Sequence, residues 1–232
     1  MWTGAEITRL EHLTMASFIA HGHPFRLWVY EPPAGRIPAG VQLEDASDII
    51  PADQVFRRES EDPDRKLGKG SLGLFSDLFR YKLLHMCGGI WVDMDMTCLK
   101  PFNFAEPYVF RTHRETALVG NIMKVPKGCP ALRDAFEKCL AAVDRYTADW
   151  LLSNRILSDA ICSAGLQRFI RSDLCNLDIW NEVWHFSTSP AEPDSRWYAL
   201  HWCNELWRTH KLDKNAPQQG SLLHNLMHQF GV

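Results

Sequence analysis

The segment SLGLFSDLFRYKLLHMCGGIWVDMDMTCLKPF, residues 71–102, limits the fold more than any other stretch of the chain. From Ser71 to Cys87 the residues Leu72, Phe75, Phe79, Leu83 and Met86 recur at helical spacing, which predicts an amphipathic helix. Gly88-Gly89 stops it. Ile90-Trp91-Val92 is short and wholly apolar, the pattern of a buried strand, and Asp93-Met94-Asp95 follows. Helix, glycine turn, buried strand and acidic strand end together predict an α/β fold. In open α/β sheets ligands gather at the carboxyl ends of strands, which is where Asp93 and Asp95 fall.

The remaining pattern agrees with that class. Residues 5–20, 130–146 and 148–170 read as helices, and a short one closes the chain. FRLWVY (25–30), the start of 41–50, YVFRT (108–112) and ALVGNIMKVP (117–126) read as strands, as do parts of WHFSTSP (184–190) and RWYALHW (196–202). Residues 57–70 are charged and poor in apolar side chains, which predicts an exposed, mobile loop suited to act as a lid. With 232 residues, 1–232 is expected to form a single domain.

Composition removes several function classes. A net charge of −3 and a pI near 6.4 give no basic footprint for nucleic acid. No run of 18 apolar residues is present and the N-terminus lacks the pattern of a signal peptide, so a cytoplasmic protein is expected. Seven cysteines without a CxxC pair read as reduced thiols, mostly in the core.

A strand sends residues 93 and 95 to the same side. Two carboxylates so close repel unless a cation or a proton intervenes. A divalent ion is the natural partner, because Mg2+ and Mn2+ take one or two carboxylates together with substrate phosphates. Strand-end polarity is the plain alternative. A nucleophile with an acid/base partner is the third, since DMDMT resembles the DxDx[TV] motif of haloacid-dehalogenase-like phosphatases. That resemblance is weakened by the motif's position after 92 residues and by the lack of any Asp-Asp pair.

The flanking residues favour the metal. Ser76, Asp77, Arg80, Leu84, Gly88, Gly89, Ile90, Trp91, Asp93 and Asp95 resemble the SD-x-x-R…GG-[IV]-[YW]-x-D-x-D pattern of glycosyltransferase family 32. Trp2–Gly4 is similar to the W-x-G after that family's first strand, although here only Met1 precedes it: either that strand is truncated or the chain start was chosen late. ALHWCNELWR (199–208) resembles the H-x-W-N element of bacterial α-1,4-glycosyltransferase-like and capsular polysaccharide synthesis-like members.

The resemblance implies a GT-A fold with a mostly parallel sheet, and a retaining transfer of a hexose from a nucleotide sugar, with UDP-sugars as the default donors. It implies that Asp95 binds Mn2+ or Mg2+ and that Asp93 reaches the ribose or a metal-bound water. Asp77 and Arg80 would grip donor-sugar hydroxyls, and Trp2 would stack on the base. His201 is a candidate third metal ligand and Asn204 a candidate phosphate contact. Asn121, after Gly120 on a predicted strand, is a candidate to face the reacting sugar. No residue is an obvious covalent nucleophile, so front-face transfer is expected. The expected acceptors are a glycan, a lipopolysaccharide or a protein, with peripheral contact at the inner membrane face for a membrane-bound acceptor. Five tryptophans between 180 and 207 suit an acceptor groove or a packed layer. A nucleotide-sugar- or carbohydrate-binding protein without catalysis is the alternative outside the enzymes.

Overall fold

A computed structural model describes residues 1–59 and 68–232. In chain order the elements are α1 (Arg9–Ala20), β1 (Phe25–Val29), β2 (Val41–Asp45), α2 (Gly73–Cys87), β3 (Gly89–Val92), β4 (Met96–Cys98), β5 (Val109–Thr112) and β6 (Leu118–Val125). Then follow α3 (Pro130–Ala142), α4 (Leu152–Ser163), β7 (Ile170–Arg171), α5 (Trp180–Thr188), β8 (Ala199–His201), α6 (Asn204–Thr209) and α7 (Leu222–Gln229). None of the described helices is long and apolar enough to cross a membrane.

The chain forms two compact units, each built from separated segments. One comprises Met1, Ala46–Asp93 and Phe104–Ser172; the other comprises Trp2–Asp45, Met94–Asn103 and Asp173–Val232.

In the first unit, four strands pair in the order β3-β6-β5-β7. Helix α2 ends where Gly88 takes φ +66°. A Cβ there would stand 2.4 Å from the Lys127 backbone nitrogen, so both the dihedral and the space require glycine. Strand β3 then runs antiparallel to β6, with Val92 opposite Ile122. Strands β5 and β6 also pair antiparallel, because residues 113–117 turn the chain straight back, and only β7 joins in parallel. The expected parallel majority is therefore wrong for this sheet, while the α/β class stands. Helices α2 and α4 pack on β6, and α3 packs on both of them.

The expected lid falls largely on residues 60–67, outside the described part of the chain. Its stem departs from the expected exposure. Arg58 is buried, donates to the carbonyls of Thr147 (3.0 Å) and Ala148 (2.6 Å), and lies over the Trp150 ring.

In the second unit, β1 and β2 pair in parallel and β4 pairs antiparallel with β8. Beside β1, Trp2 forms an isolated parallel bridge with Val29 and donates its N–H to the Trp28 carbonyl at 2.8 Å. The core joins Leu10 and Leu13 of α1 to Val183, Phe186, Trp202, Trp207, Leu223 and Met227. That core corrects one expectation. WHFSTSP is not a strand: its residues 184–188 belong to helix α5, because Val183, Phe186 and Ser187 lie three to four residues apart and bury one helical face. The tryptophan cluster also divides. Trp202 and Trp207 are core, whereas Trp180 and Trp184 are exposed. All seven cysteines are free thiols, and only Cys87 and Cys162 are exposed.

Candidate functional site

The division between the units falls inside the acidic motif: Asp93 closes a segment of the first and Met94 opens one of the second. Each carboxylate therefore has its own surroundings.

In the first unit a buried guanidinium is the centre. Helix spacing puts Asp77 and Arg80 on one face of α2, and that face turns inward, leaving the two residues 6% and 5% exposed. Arg80 Nη2 lies 3.3 Å from Asp77 Oδ1 and 3.1 Å from Asp93 Oδ1, so one cation serves two carboxylates. It also donates to Ser76 Oγ at 3.3 Å and lies 5.2 Å from the centroid of the Trp91 ring. Trp91 in turn donates Nε1–H to Asp93 Oδ1 at 2.7 Å. The Ser153 hydroxyl donates to Asp77 Oδ2. Burial pushes the Asp77 carboxyl above the ordinary carboxylate range; Arg80 and Ser153 pull the other way without cancelling it.

Strand β6 makes room for this arrangement. A Cβ on Gly120 would stand 2.9 Å from Arg80 Nη1 and 3.1 Å from its Cδ. The Gly120 N–H is held by Asn154 Oδ1 at 3.2 Å. Asn121 follows, 2% exposed, and its carbonyl accepts the Asp93 N–H at 3.0 Å. The structure thus brings together Asp77, Arg80 and Asp93, with Asn121 bonded to Asp93 through the backbone. Buried in this way, Asp77 and Arg80 are not a helix-surface ion pair.

In the second unit the centre is an imidazole. Asp95 is 7% exposed, and its Oδ2 accepts the Asn204 N–H at 2.6 Å at the start of α6. His201 Nε2 lies 3.3 Å from the same oxygen. On the other side of the ring, Nδ1 lies 2.6 Å from Asp178 Oδ1. Asn176 fixes the backbone of His201 from both directions: its Oδ1 accepts the His201 N–H (2.7 Å), and its Nδ2 donates to the His201 carbonyl (3.1 Å). Trp202 N–H donates to the Asp95 carbonyl (2.9 Å), and Trp202 Nε1–H donates to Thr97 Oγ1 (2.8 Å).

Burial opposes a charged imidazole, yet the pull of Cys203, Asp95 and Asp178 outweighs it and holds His201 well above the ordinary histidine range. Burial likewise raises the Asp95 carboxyl, but His201 and the Asn204 N–H outweigh it, leaving Asp95 below its ordinary value. The result is an imidazolium between two carboxylates.

The Asp95 carboxylate suits a hard divalent ion, and the His201 imidazole, a borderline donor, suits Mn2+ better than Mg2+. Adjacent ligands of an octahedral Mg2+ at about 2.1 Å lie about 3 Å apart, close to the 3.3 Å between Asp95 Oδ2 and His201 Nε2. Asp178 behind the ring supplies the outer carboxylate that metal-binding histidines commonly have. Asn204 touches Asp95 through its backbone N–H. Trp2 is partly buried beside β1, and a Cβ on Gly4 would stand 2.7 Å from its ring.

Sequence reasoning missed Ser153, Trp91 Nε1, Asp178 and Cys203. Of these, only Trp91 had a local signal, at position i−2 to Asp93 on the same strand face.

Comparison with known proteins gives a partial family match and a fold. Residues 65–111 match the family described as the glycosyltransferase sugar-binding region containing the DXD motif. A solved structure, "PaToxG Glycosyltransferase", superposes with a TM-score of 0.51 at 13% sequence identity. The match covers 70% of this chain and 66% of that one. No curated protein matches the chain by sequence. The fold is therefore GT-A-like, and the helix–strand segment carrying Asp77, Arg80, Asp93 and Asp95 lies within the residues that match the DXD-region family.

Proposed function

We propose that the chain, as one catalytic domain over 1–232, is a metal-dependent retaining glycosyltransferase. It moves a hexose from a nucleoside-diphosphate sugar, UDP-linked by default, to a glycan, glycolipid or protein acceptor. The observation that carries this reading is the buried Asp95–His201 pair, whose donor set suits a divalent ion, at the acidic end of a DXD region.

In this reading Asp95 and His201 hold Mn2+ or Mg2+. When bound, the ion stabilises the negative charge that grows on the departing diphosphate. Asn204 contacts the diphosphate. Asp93 reaches the ribose or a metal-bound water, with Arg80 and Trp91 Nε1 fixing its carboxylate. Asp77 and Arg80 grip sugar hydroxyls, one as acceptor and the other as a rigid donor fork. Asn121 faces the reacting sugar and Trp2 stacks on the base.

Retention is proposed to follow front-face departure and attack without a covalent intermediate. Asp77 is occupied by Arg80 and Ser153, and Asp93 by Arg80 and Trp91, which leaves both poorly suited as nucleophiles. A glycosyl-enzyme trapped on either carboxylate contradicts this step.

The test is nucleoside-diphosphate release from a panel of nucleotide sugars with Mn2+ and without acceptor. Release from one donor, lost with chelator, is expected. Calorimetry distinguishes an obligatory acceptor from a wrong reading: metal-dependent donor binding without release means the former, and no binding to any donor means the latter. A binding protein without catalysis would bind donor yet never turn it over with any acceptor.

A further inference from the structure

One side chain beside the His201 ring, the Cys203 thiol, is not used by this reading. Cys203 Sγ lies 3.6 Å from His201 Nδ1 and 3.8 Å from Asp178 Oδ1. The three ligand atoms all lie within 4.8 Å of one another. Cys203 is held there by an uncommon backbone, φ +51° and ψ +73°, at the residue before α6. A residue other than glycine in that region is costly and persists only where its surroundings enforce it.

Zinc binds thiolate sulfur at about 2.3 Å and imidazole nitrogen at about 2.0–2.1 Å in a tetrahedron, which separates neighbouring donors by roughly 3.5 Å. The two sulfur edges of the cluster already have that length. The third edge, 2.6 Å between Asp178 and His201, is a hydrogen bond, and it would have to lengthen for an ion to replace the shared proton. Asp178 is the exposed wall, with 24% of its side chain open to solvent against 12% for His201, so an ion has an entry side.

We propose that Asp178, His201 Nδ1 and Cys203 form a second metal site, selective for a thiophilic divalent ion such as Zn2+, that competes with the Asp95 site for one imidazole. Binding releases the thiol proton and the Nδ1 proton to solvent. The remaining ring proton stays on Nε2, facing Asp95, so the ring no longer has a lone pair to offer there. Zn2+ at this site thereby inhibits the Mn2+-dependent reaction; this consequence rests on the function proposed above, whereas the site itself does not. Sulfur selects the ion, because thiolate favours Zn2+ over Mn2+ and Mg2+.

The probe is Co2+, whose tetrahedral thiolate complexes have a sulfur-to-metal charge-transfer band and strong visible bands. The metal-free full chain is used with Cys87→Ser and Cys162→Ser, which remove the two exposed thiols. One equivalent of Co2+ is expected to give both bands, Zn2+ to displace them, and Cys203→Ser to abolish the charge-transfer band. Asp178→Asn, which keeps the thiol, is expected to weaken Co2+ binding by at least about tenfold; it decides the matter if Cys203→Ser does not fold. Bands that are absent, or that are unchanged in both variants, overturn the site. With a turnover assay in hand, Zn2+ is expected to suppress Mn2+-dependent diphosphate release in the parent and not in Cys203→Ser. Thiolate bands without that suppression overturn the competition and leave the site standing. Thiolate bands in a protein that binds no nucleotide-sugar donor overturn the proposed function and not the site.

Discussion

The two units carry the same motif in different chemistry. In the first, Arg80 lies between Asp77 and Asp93; in the second, His201 lies between Asp95 and Asp178. Each is a buried cation shared by two carboxylates. The guanidinium keeps its charge at any pH a protein tolerates. The imidazole gives up a proton, and an ion can take the vacated nitrogen. One cluster is thus fixed and the other exchangeable, and that difference separates a group suited to gripping an uncharged sugar from one suited to holding a metal.

Several experiments break or sharpen this contrast. The largest effect is expected at the exchangeable cluster. Asp95→Ala should lower diphosphate release by at least about 100-fold, the scale for losing a charge-stabilising group. His201→Ala should do the same while leaving the fold intact by circular dichroism. Release that survives both substitutions removes the Asp95–His201 metal reading.

At the fixed cluster the expected loss is stability first. Arg80→Ala leaves two carboxylates without their shared cation, and breaking a buried pair costs about 3–5 kcal/mol. Urea unfolding measures it. Arg80→Lys should recover only part, because one ammonium cannot reproduce the fork. A loss under about 1 kcal/mol for Arg80→Ala would show that the cluster behaves as a surface pair.

Smaller effects test the supports. Gly120→Ala crowds Arg80 and should cost about 1–3 kcal/mol, the usual range for overpacking. Ser153→Ala removes a bond to a buried carboxyl and should cost about 1.5–3 kcal/mol. If Ser153→Ala unfolds at the parent's midpoint, the bond to Asp77 contributes nothing.

The subtlest test is pH. His201 is raised in the folded, metal-free protein, so its contribution to stability is complete below the ordinary value of 6.5 and is lost as pH rises through the raised value. Asp95 is lowered, so its contribution is present above the ordinary value of 3.8 and is lost as pH falls through the lowered one. His201→Gln should therefore cost most between these ordinary values and least in alkali. Mn2+ affinity should move the opposite way and rise with pH, because the ion displaces a ring proton. Calorimetry over a pH series tests both, and a flat Mn2+ affinity means Nε2 is not a ligand.

What could be read from the chain follows the range of the forces. Residues 71–102 were legible because helix period, glycine stop and apolar strand are all local. The structure puts α2 and β3 within two residues of the expected limits. Strand direction was less legible: whether β6 returns antiparallel on β3 depends on a partner 30 residues away. WHFSTSP misled because Trp184 and Phe186 alternate like a strand, while a distant core chose the helix. The burial of Asp77 and Arg80 was not legible, because sequence does not show which face of a helix a sheet will cover. Asp178 and Cys203 left no signal, since their relation to His201 is made by folding.

The second unit has a schedule imposed on it by its discontinuity. Asp95 obtains its two partners, the His201 ring and the Asn204 N–H, only from chain more than a hundred residues downstream. During synthesis its carboxylate must wait in water while the intervening 104–172 emerges. Closing so long a loop is entropically slow and is repaid only at the end. The Asp95–His201 pair is therefore among the last things this protein acquires, and a nascent chain stalled before residue 201 would carry the acidic motif without its imidazole.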